Sequence, residues 1–198
     1  MKHVDYYFTP ISPFTYLGHD RLVAIADKRG ASVAVKPVDM GKVFSVSGGL
    51  PLKQRAPQRQ AYRTFELKRW RDLLGIPLNL QPKFFPVSAD LASKWILTAL
   101  ERGPRDGLKL AGAIMRATWA EERDISDATT LSAIAAEQGF DAATMASRAA
   151  AAEIASRYEA LTQEAIERQV FGAPTYLYRD EPFWGQDRLD FLDRALAK

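Results

Sequence analysis

Ser12 precedes Pro13 where an apolar run ending at Phe8 gives way to a segment with helical spacing. A serine there has two possible roles. Its oxygen caps the helix by accepting a hydrogen bond from a first-turn amide, a common role for this residue. Alternatively its hydroxyl, at the positive end of the helix, is the polar atom around which a reaction on an anion is organised. Three further segments carry candidate chemistry. Ala173-Pro174 opens a late apolar run, where the proline by itself only begins an edge strand. Trp184-Gly185-Gln186-Asp187-Arg188 joins a short strand to the terminal helix and places Gln186 and Asp187 at capping positions. Lys42, Lys53, Arg55 and Arg59 surround Phe44 and Pro51 on one loop. Such bases are either solvated or the partners of carboxylates.

The composition removes several alternatives. There is no cysteine among the 198 residues, which excludes structural disulfides, thiolate metal sites and a cysteine nucleophile. Only His3 and His19 are histidines, so a histidine-rich metal cluster is excluded too, and no metal is expected. The Asp and Glu residues form no defined pair of the kind a two-carboxylate hydrolase needs. A net charge of +3 is small for this length and does not by itself support nucleic-acid binding. The chain begins directly with a strand-like run and has no stretch approaching the ~18 apolar residues of a membrane span. A soluble cytoplasmic protein that acts on a small molecule, away from nucleic acid and membrane, is expected.

These residues need elements to position them. Residues 4–8 read as a strand, and 14–29 as a helix that stops at Gly30. The valine-rich segment 31–39 reads as a second strand, which makes a right-handed βαβ unit. Residues 41–57, with three glycines and two prolines, read as a loop. From 58 to 169 the pattern is helical throughout, with Ser88 as the cap of one helix and Tyr62, Trp70, Trp95 and Trp119 as core aromatics. Phe84 and Phe85 form either an apolar wall or part of that core. Two short strands and an amphipathic helix follow residue 171. The flanking segments have too few strands for separate sheets, so residues 1–57 and 170–198 should form one small mixed sheet, with 58–169 inserted as a helical domain.

This arrangement resembles the thioredoxin-like fold with a helical insertion, an α/β architecture of the DsbA-like type. Within it, the sequence is similar to the 2-hydroxychromene-2-carboxylate isomerase family, relatives of the kappa-class glutathione transferases. The resemblance rests on SPFTYLG (12–18), PVDMGKVF (37–44), RWRDLLGIPLN (69–79), FPV (85–87), VFGAPT (170–175) and FWGQDR (183–188), which occur in the family's order across the chain.

The resemblance implies a glutathione-dependent isomerase of aromatic acids, or alternatively a kappa-like transferase or a non-catalytic binding protein of the same fold. Redox members of the fold carry cysteine at the position of Ser12. A serine there rules out disulfide exchange and leaves a hydroxyl to stabilise an external thiolate, which the resemblance makes glutathione's. Lowering a thiol from about pKa 8.5 by about two units takes roughly 2.7 kcal/mol of thiolate preference, the order of one charge-assisted hydrogen bond plus a helix end. The resemblance also implies a cis Ala173-Pro174 bond, with the Ala173 backbone free to pair with a peptide ligand. It places Trp184, Gly185, Gln186 and Asp187 at the γ-glutamyl end of glutathione and Arg59 where relatives have a contacting lysine. Lys42, Phe44, Lys53, Gln54 and Phe84 fall on the substrate side. Relatives carry a Gly-Asn-x-Pro motif where this chain has Gly48-Gly49-Leu50-Pro51, so the asparagine contact is replaced by Gly49. A homodimer is also implied.

Overall fold

The computed structural model describes residues 1–198. Strand β1 (His3–Phe8) leads to helix α1 (Pro13–Arg29) and then to β2 (Ser32–Pro37), which pairs with β1 in parallel. Valine and aromatic side chains at alternate positions bury one or both faces of these strands. Lys28 and Arg29 in the last turn of α1 complement its negative end, and Gly30, at φ 61°, closes it. At the other end of the chain, β3 (Thr175–Tyr178) runs antiparallel to β1 and to β4 (Glu181–Trp184), giving the sheet order β2-β1-β3-β4. The first and last segments of the sequence thus meet at β1–β3. The tail is held from there to the front of the chain by α9 (Leu189–Leu196), where Asp193 accepts from Arg29 at 2.6 and 3.0 Å.

Between β2 and β3 lie α2 (Met40–Ser47), α3 (Pro57–Leu74), α4 (Asp90–Ala99), α5 (Pro104–Trp119), α6 (Ala128–Glu137), α7 (Ala142–Ala149) and α8 (Ala152–Glu167). These helices do not form a separate ball. One continuous core runs from Tyr6, Phe8 and Val35 on the sheet to Trp95, Ile114 and Leu131 on the helices. Tyr6 is stacked between Phe8 and Tyr176, with ring centres 4.4 and 5.4 Å away. Lys36 on β2 pairs with Asp5 on β1 at 2.8 Å and with Glu164 on α8 at 2.6 Å, and Tyr7 donates to the same Glu164. Burial opposes the Lys36 charge, but the two carboxylates outweigh it and raise the ammonium above its usual range. No helix is long and apolar enough to cross a membrane.

Three local expectations are corrected. The segment after β2 begins with a helix instead of a loop. Asp39 caps α2 by accepting from Gly41 and Lys42 amides, Met40 and Val43 bury its inner face, and Gly48 at φ 75° ends it. Ser88 is not the N-cap of α4, which is Ala89, although the Ser88 hydroxyl accepts from Asp90 N at 3.3 Å. Trp95 and Trp119 are buried as expected, but Tyr62 is 57% exposed and Trp70 only half-buried. The reason is that α3 lies along the outside of the molecule, and Leu67 is its one fully buried residue.

Candidate active site

The end of β1, the start of α1, α2, the following loop, α3 and the segment before β3 enclose a cavity of about 1100 Å³. Ser12 lies in its wall as the N-cap of α1, with extended backbone at φ −80° and ψ 126°. Its Oγ accepts from Thr15 N at 3.3 Å, so the lone pairs serve the helix and the hydroxyl hydrogen is left to donate elsewhere. Pro13 fills the first helical position, where the missing N–H costs nothing, and no acid stands in the first turn to oppose an incoming anion. Both roles weighed for Ser12 are therefore compatible: it caps the helix through its oxygen and its hydroxyl hydrogen stays free to donate into the cavity it lines.

Opposite the cap, the segment before β3 contributes Phe171, Gly172 and Ala173 to the same cavity. The Ala173-Pro174 bond is cis, as is Phe85-Pro86, which the sequence did not suggest. Thr175 Oγ donates to Gly172 O at 2.7 Å, and Gly185 N donates to Pro174 O at 2.9 Å. No hydrogen bond within the chain engages the N–H or C=O of Ala173 itself. Trp184 covers this segment. Its ring stands edge-on to Phe171 at 4.8 Å and lies so close to Gly172 that a Cβ there would meet the indole nitrogen at 2.2 Å.

The structure brings Ser12, Phe44, Lys53, Gln54, Arg59, Ala173 and Trp184 onto one cavity wall or another. It places the other candidates outside the lining. Pro174 is buried behind Ala173. Gln186 is almost fully buried, and its side-chain oxygen accepts from Arg21 at 2.7 Å, which fixes the turn below Trp184. Asp187, exposed, pairs with Arg188 at 3.2 Å, and Gly185 supplies the positive φ of 102° that leads into this turn. The Lys42 ammonium is held outward by Glu159, and Phe84 lies beneath the Lys83 ammonium while its neighbour Phe85 faces the cavity. Gly49 lines the cavity too. The Phe44 ring occupies the space beside it, so a Cβ at residue 49 would come within 2.2 Å of that ring.

Arg55 and Arg63 also line this cavity, and sequence reasoning did not single out Arg63. The signal was available: Arg63 follows Arg59 by four residues and shares its helix face.

Sheet order, inserted helices and a polar cap at the first helix define a protein of the DsbA-like class, and a family model described as DSBA-like thioredoxin domain matches residues 3–197. The curated 2-hydroxychromene-2-carboxylate isomerases of Pseudomonas putida and Sphingobium xenophagum are each 30% identical to it over 98% of the chain, covering 94% and 98% of their own lengths. A solved 2-hydroxychromene-2-carboxylate isomerase superposes with a TM-score of 0.83 at 28% identity, over 98% of this chain and 94% of that one. The chain belongs to the 2-hydroxychromene-2-carboxylate isomerase family.

Proposed function

We propose that the protein is a glutathione-dependent isomerase of 2-hydroxychromene-2-carboxylate-type aromatic acids. The observation that carries this reading is the convergence, on one cavity, of a donor-ready Ser12 hydroxyl at a helix N-terminus and an Ala173 backbone with both polar groups unpaired. These two features fit a short peptide bearing a thiol, since unpaired backbone N–H and C=O groups facing a cavity can be engaged by a ligand backbone as by an added strand. Glutathione, if bound there, would supply a thiol nucleophile for reversible addition to the unsaturated acid, so that ring opening and bond rotation would proceed with no net consumption of it.

The protein's own part is binding and charge stabilisation. Ser12 donates its hydroxyl hydrogen to the sulfur, and the positive end of α1 favours the anion at the same place. Ala173 pairs with the peptide backbone as an added strand would. Trp184 and Phe171 cover that side, and Arg59 and Lys53 supply positive charge for carboxylates. A homodimer belongs to the same proposal. It is supported by the exposed side chains of Tyr62, Phe65 and Leu73 on the outer surface of α3.

The test is thermal unfolding of wild type and Ser12→Ala with and without millimolar glutathione, with ultraviolet thiolate absorbance and chromene-acid turnover followed on the same preparations. A glutathione-dependent rise in melting temperature in wild type, with thiolate signal and turnover lost in Ser12→Ala, is expected. A wild type with neither shift nor thiolate signal refutes the glutathione mechanism.

A further inference from the structure

Arg63 and Arg55 are the cations in the cavity wall that the preceding reading leaves without a task. The Arg63 guanidinium carbon lies 5.2 Å from the centre of the Phe85 ring and 5.8 Å from that of Trp119. Those two rings pack on each other at 4.9 Å, and Trp119 is fully buried, so the platform under the cation is fixed. Neither an ion pair nor a hydrogen bond within the chain engages Arg63, and no acid is among the groups that act on it. Burial and the neighbouring Arg55 push its pKa down to about 10, which still leaves it charged at neutral pH. A half-buried cation with no counter-ion is unfavourable unless something brings one.

Arg55 adds a second, pre-set donor group. Its Nε donates to Leu50 O at 2.8 Å, which fixes the guanidinium and leaves its terminal nitrogens without a partner in the chain. It too lines the cavity, and burial and Arg59 lower its pKa. The surroundings decide what the pair would hold. On the Arg63 side the wall is aromatic: Phe85 and Phe14 face the cavity and pack into the same cluster as Trp119. The unpaired Ala173 backbone and Trp184 lie on the sheet side. A flat apolar surface next to an unpaired planar cation suits a molecule with an aryl ring and a carboxylate a short chain away.

We propose that Arg63, supported by Arg55, is the specificity-determining receptor for the carboxylate of the substrate, with the aryl ring of the acid lying along Phe85 and Phe14. The protein then selects aromatic acids over neutral electrophiles at this position. The inference rests on the isomerase reading above and names the residue that sets its substrate class.

The experiment pairs kinetics with a binding test that needs no turnover. In the first arm, wild type, Arg63→Met and Arg63→Lys are assayed with 2-hydroxychromene-2-carboxylate at saturating glutathione, and then with glutathione varied. Arg63→Met keeps the packing over Phe85 and removes the charge. Its KM for the acid should rise about 10- to 100-fold, the order of a lost charge-assisted bidentate contact, while KM for glutathione stays within about twofold. Arg63→Lys should fall between the two, because charge is kept and the planar fork is lost. In the second arm, trans-cinnamate and its neutral amide are titrated against each protein and followed by melting temperature. Cinnamate should stabilise wild type more than the amide does, and Arg63→Met should abolish the difference.

An unchanged KM for the acid in Arg63→Met, or a rise only in KM for glutathione, overturns the assignment while leaving the isomerase reading intact. If wild type fails to turn over the chromene acid, the isomerase reading fails, and the cinnamate comparison still decides whether Arg63 is a carboxylate receptor. Should Arg63→Met not fold, Arg63→Lys carries both arms, and wild-type behaviour in it overturns the proposal.

Discussion

The cavity has two walls, made in different ways. On the sheet side, Ser12, Ala173 and Trp184 are placed by backbone: a cap that closes α1, a turn held by Thr175 and Gly185, and an indole resting on a residue without a side chain. On the helical side, Arg55, Arg63 and Phe85 are placed by side-chain packing over Trp119 and by one carbonyl in a loop. A backbone-built wall presents N–H and C=O groups and a helix end, which recognise a feature common to all peptides. A wall built of side chains changes with single substitutions. Under the proposed function, the constant peptide ligand would use the sheet side and the variable acid the helical side.

The largest expected effect tests the sheet wall at its centre. Ser12→Ala should lower turnover by at least about 100-fold and cost about 1 kcal/mol of stability as the Thr15 amide loses its cap. Steady-state rates and urea unfolding of the same preparation separate the two losses. Next is Gly172→Ala. The new Cβ cannot coexist with the Trp184 ring where it stands, so the indole must move. Overpacking should cost about 1–3 kcal/mol. Tryptophan fluorescence should change, and KM for glutathione should rise while KM for the acid does not. A rise in both would show that the walls are not separable.

A smaller effect concerns the seating of α1. Asp193, hydrogen-bonded to Arg29 with Lys28 nearby, is held down to about 2. An unfolded aspartate titrates near 3.9, so the unfolded chain binds the extra proton between those values. The stabilisation is present above about pH 4 and is lost as pH falls toward about 2. Asp193→Asn should flatten that part of the acid-unfolding curve and leave glutathione binding at neutral pH unchanged. The smallest change is expected for Arg59→Gln: this side chain is exposed at the cavity mouth, and screened charges contribute little. KM for glutathione should rise a few-fold at low salt, and less at high salt.

Ser12 was legible as a candidate because its signal is local, a serine-proline pair at a strand-to-helix junction, whereas Ala173 and Trp184 became candidates only through the family resemblance carried by VFGAPT and FWGQDR. The helix after β2 was legible in principle, since Asp39 and the Met40–Val43 spacing mark a start, but the following glycines and prolines obscured it. Tyr62 shows the limit of periodicity. Its spacing with Leu67 and Trp70 is helical, yet only packing decides which face of an isolated helix is covered, and α3 turns Tyr62 to solvent. Lys42 was chosen by chemical type and Gln186 through the family resemblance, and neither reveals that Glu159 and Arg21 already engage them.

The sequence by itself determined the absence of thiol chemistry in the chain, the βαβ start, the helical middle, the ββα end, and a serine at the head of the first helix. These follow from composition and short-range pattern, which act over one or two turns of chain. Only the tertiary structure decided that residues some 160 positions apart, Ser12 and Ala173, face one cavity, and that Arg63 stands opposite them on Phe85 and Trp119 with no acid beside it. Whether a charged side chain is paired, screened or free depends on what long-range packing brings next to it, and local spacing holds no record of that.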